Sequence, residues 1–275
     1  MTLRDALGDR MKKHYENRTR YYLPRRTYTI VRLDGRAFHT YTRDLAKPFD
    51  AGLVTTLRAV AEVLCAEVNG TCLAYLQSDE ISLVVTDFRS AQTEAWFDGN
   101  VQKIASVTAS LAAAHFNRLR PNERVAAFDS RVFTIPDPVE VANYLIWRQR
   151  DWVRNSIRML GSAYLTSSEM HGLTGNEVQD RLFREHGVNW NDTPAHLKRG
   201  SLVKPVLTSE DVTYVDRTTG EARVIPDVTR RRWEVTAAPH FTVDSDVLRD
   251  LVPNLGPAST WAPHEQLQEG PKPKE

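Results

Sequence analysis

The sequence predicts an α+β fold, a ferredoxin-like βαββαβ core with additional helices and a small C-terminal extension. Three observations carry that expectation. Short β-branched and aromatic runs alternate with long apolar stripes of helical period in the order β-α-β-β-α-β. The two middle runs are separated by only four polar residues, Gln77 to Glu80, which makes them a hairpin. After Pro136 the pattern changes to capped helices.

Taken in order, Leu3, Leu7, Met11 and Tyr15 recur every four residues and predict an opening helix. Thr27 to Leu33 reads as the first strand and stops at Asp34-Gly35, a turn signal. Leu53, Leu57, Val60, Leu64 and Val68 trace a helical stripe closed by Asn69-Gly70. Cys72 to Leu76 and Ile81 to Thr86 form the hairpin strands. Val101, Ile104, Thr108, Leu111, Ala112 and His115 mark a second long helix. Val125 to Ile135 is the fourth strand, with a bend expected near Asp129-Ser130. Asp137-Pro138-Val139-Glu140 starts a helix expected to run to about Ser168, because Asp caps and proline suits the first turn. Thr174 to Glu177 is a capping box for another helix. Val203 to Val215 and Arg223 to Val235 form a small β unit around Thr218-Thr219-Gly220, and the proline-rich end from Gly256 is expected to fray. The chain thus divides into a core (1–136), a helical part (137–205) and an extension (206–275).

Composition bounds the function. The chain has 275 residues, 41% hydrophobic and 26% charged, with net charge +1. No global field attracts an acidic partner, so any nucleic-acid binding must rest on local patches. Cys65 and Cys72 form no CxxC pair, which argues against zinc and points to buried thiols in a reducing, cytoplasmic compartment. Met1 to Asp5 carries early charge and no apolar run, so no secretory leader is expected. No run approaches the roughly 20 apolar residues of a membrane span.

The predicted topology concentrates acids at one rim. Strand three lies between strands one and two and runs antiparallel to strand one. The end of strand one, Asp34, therefore meets the start of strand three, Asp79 and Glu80. Carboxylates so placed repel one another unless a divalent cation intervenes. Hard oxygen ligands without His or Cys favour magnesium, with the Gly35 carbonyl as a further donor. Two such ions suit phosphoryl transfer. Cations lie where a triphosphate needs them: Arg32 on the same strand face as Asp34, Lys47 on the loop leaving the site, and Arg131 on the fourth strand. Backbone N–H groups of Gly35, Arg36, Ala37, Phe38 and His39 can face phosphate oxygens. Arg150, Arg154 and Arg158 stack on one helix face beside Trp147, and Lys198-Arg199 and Arg230-Arg231-Arg232 are further basic clusters. The histidines form no metal-binding spacing.

At these residues the sequence resembles the tRNA-His guanylyltransferase family, the 3′-to-5′ polymerases that include bacterial and archaeal like proteins. The motifs are Val31-Arg32-Leu33-Asp34-Gly35-Arg36-Ala37-Phe38-His39, Ala46-Lys47-Pro48-Phe49-Asp50, Gln77-Ser78-Asp79-Glu80, Phe128-Asp129-Ser130-Arg131 and Tyr144-Leu145-Ile146-Trp147-Arg148-Gln149. The likeness runs from about residue 5 to about residue 205. It implies a polymerase palm, with two magnesium ions held by Asp34, the Gly35 carbonyl and Asp79, and Glu80 as a third catalytic acid. It implies activation of a tRNA 5′-monophosphate by ATP or GTP, then attack of an incoming 3′-hydroxyl with release of AMP. Lys47, Ser78 and the Gly35 to His39 loop are expected to hold the activating triphosphate, and Arg32 and Arg131 the incoming one. Asp50, Arg154, Asn155 and Arg158 complete the expected nucleotide contacts, and Lys198 and Arg199 the tRNA contacts. A homo-oligomer, a dimer of dimers, is implied. One departure is clear. Eukaryotic members carry His-Ile-Asn-Asn-Leu-Tyr-Asn where this chain has Val153-Arg154-Asn155-Ser156-Ile157-Arg158-Met159. Loss of that histidine favours template-directed 5′-end addition or repair over untemplated guanosine addition. A nucleotidyl-cyclase-like palm enzyme is an alternative, although Gln77-Ser78-Asp79-Glu80 lacks the glycines of that class. A non-catalytic RNA-binding module is another, and the paired acids argue against it.

Overall fold

The computed structural model describes residues 5–121, 123–242 and 248–255. Burial along β1 (Tyr28–Gly35) is almost continuous, as expected for a strand covered on both faces. Its neighbours are β3 (Glu80–Thr86) and β4 (Phe128–Ile135), both antiparallel. With β2 (Thr71–Gln77), β5 (Ser201–Val215) and β6 (Ala222–Ala237) they form a six-stranded sheet of order β4-β1-β3-β2-β5-β6. The predicted placement of strand three between one and two holds.

Alternation along β1 divides the core. Val31 and Leu33 pack with Leu57, Val60 and Leu64 of α3 (Ala51–Glu67) and Ile104 and Phe116 of α4 (Val101–Leu119). Tyr28 and Ile30 pack the other way, against Val141 and Leu145 of α5 (Pro138–Gly161). Leu248, Val252 and Leu255 close this second face, and the Tyr28 hydroxyl donates to the Pro253 carbonyl. On the α5 side the Tyr144 and Ser82 hydroxyls lie 2.7 Å apart, which ties helix to strand. A third small core joins the end of α5 to α6 (Gly175–His186) through Ile157, Leu160, Val178 and Leu182.

Several expectations change. The opening helix exists as α1 (Ala6–His14), capped by the Asp5 side chain. Its stripe meets no core among the described residues: Leu7, Met11 and Tyr15 are 60%, 46% and 64% exposed. Leu3 lies outside the described residues. The fourth strand starts at Phe128 rather than Val125, and it does not bend at Asp129-Ser130. Those residues pair in register with Asp34 and Leu33. Helix α5 stops at Gly161, short of Ser168. A Cβ there would meet the Met170 sulfur at 2.8 Å and Val178 at 3.0 Å, so the helix end packs closely, and beyond it Leu165 lies in the third core. A one-turn helix, α2 (Phe38–Tyr41), was not foreseen. The capping box of α6 is present in full. The short helix α7 (Ala195–Arg199) leads into β5.

The two C-terminal strands do form, but not as a separate unit. Ala74, Tyr75 and Leu76 pair with Val203, Leu202 and Ser201, so β5 extends the core sheet. Residue 205, the expected boundary, falls inside β5, and the hairpin continues beyond the sheet as a two-stranded arm. The expected frayed tail from Gly256 lies outside the described residues.

Gly35 shows how tightly the end of β1 is built. A Cβ there lands 2.3 Å from the Phe38 ring, which is itself held by Tyr41, Phe116 and Phe128. The ring has nowhere to go, so Gly35→Ala is expected to cost about 1–3 kcal/mol, read as a lowered urea midpoint at unchanged slope.

Candidate functional site

The acids converge as the topology requires. Asp34 is the penultimate residue of β1, Asp79 occupies the β2–β3 turn and Glu80 opens β3. All three line one cavity of about 540 Å³, together with Gln77, Ser78, Arg148, Trp152, Asn155 and Arg158. Burial pushes the Asp79 carboxyl up to about 6, and the nearby charges of Asp34 and Glu80 push the same way. A hydrogen bond from Ser78 opposes them. The Ser78 backbone is left-handed, at φ 47°, which lets the turn close tightly above the rim.

Glu80 differs from the other two. Arg148 on α5 grips both of its carboxylate oxygens at 2.7 Å, and Gln77 donates to it at 3.1 Å. Arg148 also reaches Asp151 at 3.2 Å and stacks 4.5 Å from the centre of the Trp147 ring. Asp34 and Asp79 are therefore the carboxylates left to face the cavity. Sequence reasoning quoted the Trp147-Arg148-Gln149 motif and passed over Arg148. An arginine 68 residues from a strand-opening glutamate gives no signal until the helix is docked.

The cations divide. Arg32 and Arg131 are register partners on adjacent strands. Two guanidiniums directly opposite each other are unfavourable unless an anion lies between or beside them. Arg131 lies 3.8 Å from Asp34 and 3.5 Å from Asp129. Arg32 Nε, Gln77 Oε1 and Trp152 Nε1 are buried without a protein partner among the described residues. An unpaired buried polar atom costs about 1–3 kcal/mol; of these three residues Gln77 and Trp152 line the cavity, while Arg32, like Arg131, lies outside its lining. Arg158 lines the cavity and donates to the Leu173 carbonyl at 2.9 Å. Arg154 does not line it and pairs with Asp151 at 3.0 Å on the exposed side of α5.

A second cavity of about 410 Å³ adjoins the first and shares Gln77, Ser78, Asp79, Trp152 and Met159 with it. Its far walls are apolar: Phe38, Leu45, Pro48, Phe49, Leu53 and Leu197. His39, Lys47 and Asp50 line it too, each with a local bond. His39 meets the Thr40 hydroxyl, Lys47 donates to the Thr42 carbonyl at 2.8 Å, and Asp50 caps α3 at 2.6 Å. The predicted phosphate loop offers fewer donors than expected. The Arg36 N–H is taken by the Ala127 carbonyl, while Ala37, left-handed at φ 54°, starts α2 and leaves the first-turn N–H groups of Phe38 and His39 free of intrahelical partners. The Phe38 side chain itself is core. Lys198 and Arg199 do not line either cavity. Lys198 donates to the Asn191 carbonyl above Trp190, and the Arg199 carbonyl accepts from Tyr75 at 2.8 Å. Their neighbours His196, Leu197 and Gly200 do line the second cavity, although no nucleotide-binding role was expected of them.

An apolar slot ending at paired acids, with Arg148 and Arg158 on the adjoining wall, has the make-up of a nucleotide site. The tRNAHis guanylyltransferase (Thg1) family profile matches residues 8–136. The tRNA(His) guanylyltransferase of Schizosaccharomyces pombe is 31% identical over 208 residues, 69% of this chain and 77% of that protein. The chain belongs to the tRNAHis guanylyltransferase family. A bacterial Thg1-like protein solved in complex with ATP superposes with TM-score 0.76 at 38% identity, covering 90% of this chain and 99% of the other. One solved in complex with GTP gives 0.68 at 40% identity, covering 86% and 94%. The Saccharomyces cerevisiae enzyme gives 0.60 at 27% identity, covering 70% and 92%. Membership makes the chain a nucleotidyltransferase on an α+β palm-like core.

Two outcomes follow from the electrostatics. Arg148→Met leaves Glu80 buried and uncompensated and is expected to destabilise by roughly 3 kcal/mol, with Glu80→Gln in the same chain restoring part of the loss in denaturant melts. The raised Asp79 carboxyl makes the metal-free folded state bind a proton more tightly than the unfolded chain does. That stability is present below about pH 4 and is lost as pH rises through about 6. Asp79→Asn in excess chelator should therefore raise the melting temperature at pH 8 and leave it nearly unchanged at pH 4.

Proposed function

We propose that this chain adds nucleotides to the 5′ end of tRNA in the 3′-to-5′ direction, in a magnesium-dependent reaction, and that its task is template-directed 5′-end repair. The observation that carries the chemistry is the meeting of Asp34 and Asp79 on the rim of one cavity. Magnesium fits these residues. Glu80 is taken by Arg148, so the carboxylates the protein has to offer an ion here are those of Asp34 and Asp79. Magnesium keeps waters and takes substrate phosphate oxygens for the rest of its shell, with the Gly35 carbonyl within the same strand end. When bound, the two ions lower the cost of charge on the attacking and leaving oxygens.

The chain's own residues do the positioning. The apolar cavity seats the base of the activating ATP or GTP, and Ser78, Lys47 and the Phe38 and His39 N–H groups meet its phosphates. A 5′-phosphate oxygen attacks the α-phosphorus, pyrophosphate leaves and a 5′-nucleotidylated tRNA results. Arg32, Arg131 and Arg158 then orient the incoming nucleotide so that its 3′-hydroxyl attacks the 5′-phosphorus and the nucleoside monophosphate leaves. Arg148 keeps Glu80 from competing with Asp34 and Asp79 for cations.

Repair is favoured over untemplated guanosine addition by Val153. The position that carries histidine in eukaryotic members here packs against the Ile157–Val178 core and offers no polar group. We also propose a homo-oligomer, a dimer of dimers. The arm beyond Val206 exposes Leu207, Val215, Val224 and Ile225, and a two-stranded hairpin is marginal without something against it. Two unpaired thiols, Cys65 and Cys72, support a cytoplasmic setting.

The test supplies 5′-monophosphorylated tRNA, either full-length tRNA-His or a tRNA lacking its first nucleotide, with ATP, magnesium and each NTP in turn. Extension of the truncated tRNA by the template-matched nucleotide is expected. Guanosine addition to full-length tRNA-His alone would overturn the repair reading. Asp34→Ala and Asp79→Ala should each abolish addition, by at least about 1,000-fold, while retaining the wild-type circular dichroism spectrum.

A further inference from the structure

At the end of the sheet away from the acids lies a surface that the reaction above does not use. The backbone of residues 21–23 is stitched to that of 99–101. The Leu23 N–H donates to the Gly99 carbonyl at 2.9 Å, the Val101 N–H donates to the Tyr21 carbonyl at 3.0 Å, and Tyr22 bridges Asn100. Three aromatic side chains share this surface: Tyr21, 69% exposed, Tyr22, 52%, and Phe97, 38%. Phe97 and Asp98 are both left-handed, at φ 50° and 54°, a costly backbone for residues with side chains. Such strain persists only where the surroundings impose it, and it clusters at functional positions. Here it holds the Phe97 ring outward over Trp96, with centroids 4.3 Å apart.

Charge accompanies the rings. Residues 5–27 carry seven Lys and Arg against three Asp and Glu, in a chain whose total is only +1. Lys103 sits 5.7 Å from the centre of the Phe97 ring. Arg18, Arg26 and Lys103 have no carboxylate partner among the described residues. Exposed flat rings interleaved with free cations match a polyanion with bases available for stacking. The exposed arm, by contrast, is apolar with mixed charge and resembles a protein contact.

We propose that Tyr21, Tyr22 and Phe97, with Arg18, Arg26 and Lys103, form a docking surface for a part of the RNA substrate remote from its 5′ end. The inference rests on the tRNA reading given above. Tyr28 and Asp34 stand at opposite ends of β1, about 20 Å apart at roughly 3.3 Å per residue. A mononucleotide held at Asp34 and Asp79 therefore does not reach this surface, whereas a tRNA extended along the sheet does.

The experiment uses the full chain, a tRNA transcript and fluorescence anisotropy, alongside steady-state addition to the truncated tRNA. The triple variant Tyr21→Ser, Tyr22→Ser, Phe97→Ser is expected to weaken tRNA binding and raise the KM for tRNA by about tenfold or more. The KM for ATP and kcat should stay at wild-type values. Lys103→Glu should lower the salt dependence of binding. Phe97→Gly relieves the left-handed strain, so it should raise the melting temperature while still losing RNA affinity, which separates binding from folding. Unchanged tRNA affinity in the triple variant overturns the inference and leaves the proposed function standing. A changed oligomeric state at unchanged tRNA affinity, read by light scattering, also overturns it and assigns the surface to a contact between copies. A wild-type protein that does not bind tRNA removes both this inference and the proposed function.

Discussion

Three carboxylates at one rim of a sheet are tolerable only when their charge is balanced, and the ion pair between Arg148 and Glu80 supplies much of that balance. It is bidentate, nearly buried and backed by the Trp147 ring. It spans the hairpin tip and α5, elements 68 residues apart in sequence. The pair fixes the height of α5 over the rim. It thereby sets where Trp152, Asn155 and Arg158 stand relative to Asp34 and Asp79. Asp79 remains costly to ionise, because burial and its two acidic neighbours act together. The proposed divalent cation would relieve that cost, because its charge offsets the carboxylates that burial and proximity make hard to ionise.

The sheet explains why so much chemistry sits on one face. Alternation along β1 sends Val31 and Leu33 toward α3 and α4, and Arg32 and Asp34 toward α5. Near the start of β1 that second face is apolar, with Tyr28 and Ile30 beneath Val141 and Leu145. Toward its end the same face becomes polar: Ser82 with Tyr144, then the two opposed arginines, then the acids. One helix thus covers hydrophobic core over its first half and substrate site over its second. On the other side, α2 and α3 wall the apolar cavity, and the strand end is packed so closely that Gly35 admits no side chain.

Periodicity made the core legible. The stripes of α3 and α4, the polar break from Gln77 to Glu80 and the caps at Asp137 and Thr174 are local features, and each formed as read. Where the reading slipped, a distant partner decided. The apolar stripe of α1 looked like a core face, yet no described element covers it. Helix α5 had the composition to continue, but the chain leaves it at Gly161 and puts Leu165 into the core formed with α6. The C-terminal strands looked self-contained because hairpin pairing is local, while their attachment to β2 depends on edge hydrogen bonds that leave no mark in the sequence.

By itself, the sequence determined the order of strands and helices, the meeting of Asp34 with Asp79 and the cations opposite them. Those follow from side-chain period and from the few ways a βαββαβ chain can wind. Only the tertiary structure decided which charges remain available. It committed Glu80 to Arg148, turned Arg154 outward to Asp151 and gave Lys47 and Asp50 local bonds. It also left Arg32 Nε, Gln77 Oε1 and Trp152 Nε1 buried without a protein partner among the described residues, the last two on the cavity lining. The reason is physical: a charged or hydrogen-bonding side chain takes the partner that packing brings within about 3 Å, and composition does not record which one that is.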